Sequence, residues 1–174
     1  IGNFDGVHIG HQKIIDEVVK RSKILNARSI LLTFEPHPVM VLSPQKNLGL
    51  LSNLDQKNTM VKNRGIQDFI LIPFDRDLAN ISARDFFINF LLRPHQPLEI
   101  HVGYDFAFGK NREGNESSLS KFCDEFKVKL VVHGPYKTED QQEIISSSKI
   151  RDLLLKGEVK DAKELLGYHY SLSN

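Results

Sequence analysis

Cysteine is nearly absent from this chain: Cys123 is the single one among 174 residues. One thiol cannot close an internal disulfide, and it excludes a cysteine-built zinc site. An excess of one charge is missing too. Lys and Arg number 23 against 22 Asp and Glu, a formal net charge of +1. That balance indicates no general polyanion-binding surface, so nucleic acid is not an expected partner. No signal peptide occurs, and no apolar run of about 18 residues. The expectation is a soluble, cytoplasmic protein without a membrane segment. Internal repeats, low-complexity tracts and linkers are lacking as well. What remains, 40% hydrophobic and 26% charged residues, is enough for one well-packed globular body. The abrupt start reads Ile1 as the tail of a first strand, and the chain as a piece of a longer protein.

The most informative stretch is the opening, Gly2-Asn3-Phe4-Asp5-Gly6-Val7-His8-Ile9-Gly10-His11-Gln12. It precedes a run with Ile14, Ile15, Val18 and Val19 on one face and Asp16, Glu17, Lys20 and Arg21 elsewhere, which predicts an amphipathic helix. A glycine-rich turn feeding a helix N-terminus is a phosphate-binding geometry, because free N–H groups point outward and the helix dipole adds positive charge. Gly6 and Gly10 lack a Cβ and would let a ligand approach the backbone. His8 and His11, at i and i+3, are neighbours placed to donate to phosphate oxygens. A histidine pair can also share a metal ion, but that needs a third ligand, and no partner at a fixed spacing is visible. In isolation the pair would be an ordinary helix start; the glycines favour phosphate.

Short apolar runs recur at roughly 30-residue intervals, as βαβ units require. Strands are predicted at Ser29–Phe34, Asp68–Phe74, Leu98–Gly103 and Val128–His133. Each is near-continuously apolar, the pattern of strands covered on both faces. Helices are predicted at Leu54–Arg64, at Ser82–Leu92 with Ser82 as cap and Asp85 three residues on, and at Ser118–Phe126. Two more close the chain, one capped by Ser147 or Ser148 and ending at Gly157, the other ending at Gly167. The fold class is α/β: a Rossmann-like, open, mostly parallel sheet with helices on both faces. Ligands should bind at the carboxyl ends of its strands.

Three further segments follow strands or open helices. In Thr33-Phe34-Glu35-Pro36-His37-Pro38 two prolines bracket a histidine and predict a stiff, extended exit from the strand. A rigid loop closing the sheet would look the same. Val102-Gly103-Tyr104-Asp105-Phe106-Ala107-Phe108-Gly109 alternates aromatics beside glycines, which suits a flat ring or plain core packing of Phe106 or Phe108. Ile145-Ser146-Ser147-Ser148-Lys149-Ile150-Arg151 opens a helix. Serines there are ordinary caps, but with Arg151 one turn in they form a second anion clamp. Lys149 is expected to point away into solvent.

His-x-Gly-His in such a loop is the signature of the nucleotidyltransferase superfamily, and the longer string resembles the adenylyltransferase half of bacterial bifunctional riboflavin kinase/FAD synthetase. TFEPHP resembles that family's TF, Asp or Glu, PHP segment, and ISSSKIR its ISS-Ser/Thr-x-IR segment. Similarity runs over essentially the whole chain. The resemblance implies the nucleotidyltransferase fold and ATP + FMN → FAD + pyrophosphate by direct in-line transfer, with Mg²⁺. It implies His8, His11 and Arg151 as catalytic, and an ATP site of Gly2, Asn3, Phe4, Asp5, Gly6, His8, His11, Asp105, Ser147, Ser148 and Arg151. It implies a flavin pocket of Phe34, Pro36, Pro38 and Phe108, with Phe108 stacking on the ring. Asp105 stands where the family has Asn or Asp and is the one candidate metal contact; the role of Glu35 stays open. Residues 1–158 would be the adenylyltransferase domain and 159–174 a terminal helix and the start of a junction. The riboflavin kinase domain, the partner in cis, would follow and is missing here. Tyr168 and His169 replace a basic residue and proline of the family, a departure assigned to the junction and not to the site. The alternatives are a related enzyme acting on another phosphorylated acceptor, such as phosphopantetheine, and a nucleotide- or flavin-binding module without turnover.

Overall fold

Helices and strands alternate along residues 1–138 and 143–171, which this computed structural model describes. In order they are α1 (Ile9–Leu25), β1 (Ile30–Glu35), α2 (Pro38–Leu42), α3 (Leu54–Asn63), β2 (Asp68–Pro73), α4 (Arg76–Asn80), α5 (Ala83–Phe86), α6 (Arg93–His95), β3 (Glu99–Gly103), α7 (Glu116–Glu125), β4 (Lys129–His133), α8 (Ser147–Leu155) and α9 (Val159–Leu166). The four strands expected from Ser29 onward are present within a residue of their expected bounds, whereas Ile1, expected to end a first strand, lies in no assigned strand. β1 pairs with β2, and β3 pairs with β4. The second pair is parallel, from Glu99 opposite Lys129 to Gly103 opposite His133. The Ile1 amino group donates to the His101 carbonyl at 3.0 Å and the Gly2 N–H to the Leu32 carbonyl at 3.1 Å, so the first two residues lie between β1 and β3.

Burial separates the strands. Leu31–Phe34 of β1 and Ile100–Val102 of β3 are buried without interruption, whereas β2 buries Ile72 alone and β4 buries none of its residues fully. The apolar runs of β2 and β4 therefore mark strands covered less than their composition suggests. Hydrophobicity permits burial on both faces; neighbours decide it.

Several helix starts differ from expectation. α7 begins earlier, because Asn115 caps it: its side chain accepts the Ser118 N–H while Ser118 Oγ accepts the Asn115 N–H. This reciprocal box outcompetes a start at Ser118 itself. α8 is capped by Ser146, not by Ser147 or Ser148; Ser146 has extended backbone and its Oγ accepts the Lys149 N–H. The Pro36-His37-Pro38 segment does not leave β1 extended. His37 Nδ1 accepts the Val39 N–H at 3.2 Å and caps α2, with Pro38 at its first position, where the missing N–H costs nothing. α5 is capped by Ser82 and runs through a π-helical turn, Phe87–Leu92, into α6, so the expected helix is longer and locally wider than a regular one.

The chain divides into two compact units, one of Ile1–Gly2, Leu32–Asn47 and Leu71–Gly134, the other of Asn3–Leu31, Leu48–Ile70 and Pro135–Asn174. The first carries an aromatic core. Phe34 meets Phe74 edge to face and also contacts Phe86; Phe86 stacks on Phe90 and tilts against Phe108. The second has two mainly aliphatic cores. In one, Phe4, Val7 and Ile15 pack with Leu31, Val61 and Ile66. In the other, Ile150 and Leu153 of α8 pack with Ala162, Leu165 and Leu166 of α9. α9 thus shares a core with α8, across the 158/159 position taken from the sequence as a boundary; the last three residues of 159–174 lie outside the described ones.

Candidate active site

The second unit is organised around the loop that enters α1. Phe4, Gly6 and Val7 all have positive φ, 49°, 75° and 35°. For a β-branched residue such as Val7 this is costly, and it persists only when the surroundings over-determine it. They do. The Gly6 N–H donates to Ser52 Oγ at 3.1 Å, and the Gly6 carbonyl accepts from Tyr168 Oη at 2.7 Å. Gln12 Nε2 donates to the Val7 carbonyl at 2.8 Å, Ser147 Oγ to the Asp5 carbonyl at 3.0 Å, and Lys57 Nζ to the Asn3 carbonyl at 2.9 Å. Gly6 and Gly10 are accounted for by this packing. A Cβ on Gly6 would lie 2.8 Å from Leu51 Cβ, and one on Gly10 would lie 3.2 Å from the His8 ring. The room their missing Cβ atoms leave is filled by protein, not held open for a ligand.

Asp5 is 2% exposed. Its carboxylate accepts the Leu51 N–H at 3.0 Å and the Ser52 N–H at 3.3 Å, and pairs with the Arg151 guanidinium. Arg151 Nε also donates to the Gly49 carbonyl at 2.7 Å. The Asp5 carboxylate is buried among these backbone N–H groups and the Arg151 guanidinium. Its role is to tie the loop, residues 49–52 and α8 to one another. Arg151 is held at that junction, and Ser147 reaches the same loop. Ser148 is exposed on the first turn of α8. Lys149 turns away, as expected, but onto Glu143 Oε1 at 2.8 Å.

His8 caps α1, with Nδ1 accepting the His11 N–H at 3.4 Å, and the two rings stack with centroids 3.6 Å apart. Phe4 meets His11 edge-on at 5.2 Å. Burial pushes the His8 pKa down to about 4, a fall that Asp5 opposes and Arg151 adds to. Burial, then His8 and Lys57, hold His11 well below the usual histidine range. Both imidazoles are therefore neutral near pH 7. With Nδ1 of His8 accepting, its proton resides on Nε2, a donor. His11 Nδ1 is buried with no hydrogen-bond partner among the described residues.

The remaining site candidates belong to the first unit. The Gly2 N–H is engaged by Leu32, so Gly2 is part of the strand pairing. Phe34 and Phe108 are buried at 8% and 6% exposure and are linked through Phe86. Of the two phenylalanines after β3, Phe108 is the core residue; Phe106 stacks on it at 5.3 Å and stays half-buried. Pro36 is exposed and Pro38 half-buried. Asp105 is exposed and lines an open concavity of about 830 Å³ with Tyr104, Phe106 and Arg112. Among the described residues no three His, Cys, Asp or Glu side chains cluster as a metal-ligand set.

Sequence reasoning missed two members of the loop's surroundings. Lys57 is 5% exposed. The available signal was its position on α3 four residues before buried Val61, a charge on the apolar stripe. Tyr168, assigned to a junction, donates to the loop itself, and its pKa is pushed up to about 12 by burial, Asp5 and Tyr170.

The chain is 33% identical over 175 residues to a protein of Buchnera aphidicola subsp. Schizaphis graminum named bifunctional riboflavin kinase/FMN adenylyltransferase, covering 99% of this chain and 55% of the relative. Proteins of the same name from Listeria monocytogenes and Bacillus subtilis are 32% and 30% identical, each over 98% of this chain and 54% and 53% of their own length. The chain spans about half the length of the curated relatives it matches. A crystal structure described as a macrolide-efflux protein from Streptococcus pneumoniae superposes with a TM-score of 0.83 at 27% identity, over 97% of this chain and 55% of that one. Among the described residues here no helix is long and apolar enough to cross a membrane. A family model described as FAD synthetase matches residues 1–149. A match over that much of the 174 residues, carrying the whole strapped histidine loop, means that the chain belongs to the FAD synthetase family.

Proposed function

We propose that the chain is an FMN adenylyltransferase, moving the adenylyl group of ATP to FMN and releasing pyrophosphate. The observation that carries this reading is the neutral, stacked His8–His11 pair at the start of α1, on a loop tied through Asp5 to Arg151. An FMN phosphate oxygen forms a bond to the α-phosphorus as the bond to the bridging oxygen breaks, and pyrophosphate leaves with that electron pair. The FMN phosphate is an anion near neutral pH, so no general base is required. Charge builds on the α-phosphate and the leaving group, and donors fixed beforehand stabilise it without reorganising. His8 and His11 each supply a ring N–H, and Arg151 a permanent charge. Its guanidinium has five N–H donors, more than Asp5 and Gly49 engage. Ser147 and Ser148 supply the first-turn groups of α8. Asn3, Phe4, Asp5 and Gly6 shape the loop.

Phe34, Pro36, Pro38 and Phe108 are read as walls of the flavin pocket, and Asp105 as a nucleotide or metal contact. Mg²⁺ enters with ATP as part of the substrate, which suits an ion bound largely by phosphates and water rather than by a protein cage. Residues 1–158 are read as the transferase body and 159–174 as its closing helix and junction, joined in cis to a riboflavin kinase domain of the kind the relatives' names declare. A cytoplasmic place of work follows from the same reading. Incubating the chain with FMN, ATP and Mg²⁺ should yield FAD and pyrophosphate in equal amounts by chromatography. ATP binding without either product would defeat the assignment; conversion of riboflavin to FMN by this chain would defeat the division of labour.

A further inference from the structure

Two carbonyls in succession, those of Gly6 and Val7, are each caught by a side chain. Tyr168 Oη donates to the first at 2.7 Å and Gln12 Nε2 to the second at 2.8 Å. A peptide group is planar, so the freedom between these two groups lies in φ and ψ of Val7. Fixing both planes therefore fixes Val7, at a φ of 35° that a β-branched residue does not hold unaided. His8 follows directly, and that turn sets the direction in which its ring leaves the chain. The strain of such a φ is comparable to the net worth of about one or two hydrogen bonds, so losing either bond is enough to let the turn relax.

Both side chains are themselves held. Arg64 can only donate, and its guanidinium faces Gln12 Oε1, which leaves the amide N–H groups for acceptors. One goes to Val7 and the other to the Leu166 carbonyl at 2.7 Å, at the end of α9. Asp16 holds Arg64 at 2.8 and 2.9 Å. Gly167 then turns the chain at a φ of 76°, so close to α1 that a Cβ there would lie 3.1 Å from Ile9 Cγ1. That turn delivers Tyr168 to the loop, with its ring against the core shared by α8 and α9. Burial, Asp5 and Tyr170 keep its hydroxyl protonated and therefore a donor.

We infer that Gln12 and Tyr168 are positioning residues of the transferase site: together they clamp the Val7 turn between α1 and the end of α9, and so present His8 as a donor fixed before substrate arrives. Their role in turnover rests on the transferase reading; the clamp on His8 does not. A donor placed beforehand needs no reorganisation when charge develops, and a small displacement forfeits that advantage.

The test compares the full chain with Tyr168→Phe, which keeps the ring and removes only the hydroxyl, with Gln12→Leu, and with the double variant. Thermal unfolding, steady-state FAD formation and the NMR titration of the His8 imidazole are followed in each. Each single variant should stay folded and lower kcat about ten-fold, with KM for FMN and ATP unchanged. The double variant should be no slower than the slower single one, because both changes release the same turn. The His8 titration should rise from about 4 towards 6.5 as the ring gains water. A merely structural contact would lower the unfolding temperature and leave that titration of the folded chain where it was. A wild type that makes no FAD counts against the transferase reading alone, and a raised His8 titration in the variants then still supports the clamp. Folded variants with a wild-type His8 titration overturn the inference, as does an unchanged kcat where FAD is formed, or a double variant slowed by the product of the single effects. Failure of both single variants to fold overturns it too, since the side chains would then hold the fold rather than the loop.

Discussion

The two units hold their candidate site residues in opposite ways. In the first, Phe34, Phe74, Phe86, Phe90 and Phe108 meet ring against ring. In the second, the Asn3–Val7 loop is strapped by directed hydrogen bonds from Lys57, Ser147 and Tyr168 and by one that its Gly6 N–H donates to Ser52. Packing forces are non-directional and tolerate a change of shape if volume is kept. Buried hydrogen-bonded charges tolerate almost none, because a lost partner leaves a desolvated group behind. The loop also stores unfavourable φ values at Phe4 and Val7 that the straps must hold down. Preorganisation of donors is what the proposed chemistry needs, and directed bonds supply it.

That contrast is most exposed to test at Asp5. Asp5→Asn keeps the shape but leaves the Arg151 guanidinium, 17% exposed, without its charge partner. It should destabilise the chain by about 3–5 kcal/mol in denaturant unfolding. A loss below the level of an ordinary surface substitution would show that the straps are redundant. His8→Ala should cost about 10²–10³-fold in FAD formation with the fold intact, the effect of one preorganised donor; an undiminished rate would remove His8 from the mechanism.

Protonation probes the same loop without mutation. The folded pKa of His8 lies near 4, below its ordinary value of 6.5. Stability is therefore fully present above pH 6.5 and falls as pH drops towards 4, because the unfolded chain takes up the proton first. The loss from His8 is about 3 kcal/mol over that window. His8→Gln should flatten this part of the stability profile; an unchanged slope would mean that other groups set it. The smallest effect belongs to the aromatic side. Phe86→Leu, a modest change of volume at the centre of the ring cluster, should cost about 1–1.5 kcal/mol. A loss as large as that of Asp5→Asn would erase the distinction between the two units.

Periodicity and punctuation made much of the fold legible. The four strands, α3, and the glycine stop at Gly167 follow from apolar runs and caps. The histidine loop and the Arg151 helix were legible as candidate site segments, since glycine, histidine and serine at a helix start have a local meaning. Helix starts were less so. Asn115 and Ser146 won over Ser118, Ser147 and Ser148 because one of several neighbouring candidates forms the bond, and the rest find other partners. Lys57 and Tyr168 were not legible at all as part of the loop, lying 54 and 162 residues from the groups they bond.

The sequence by itself determined the α/β alternation, the positions of the strands and the motif that identifies the family, because each depends on residues within one or two turns of one another. Only the tertiary structure decided that Asp5 faces Arg151 rather than open space, that Phe108 and not Phe106 enters the core, and that a buried lysine and a tyrosine from the far end secure the loop. Those outcomes depend on which groups share a desolvated volume, and burial is a property of the folded neighbourhood that no local spacing encodes.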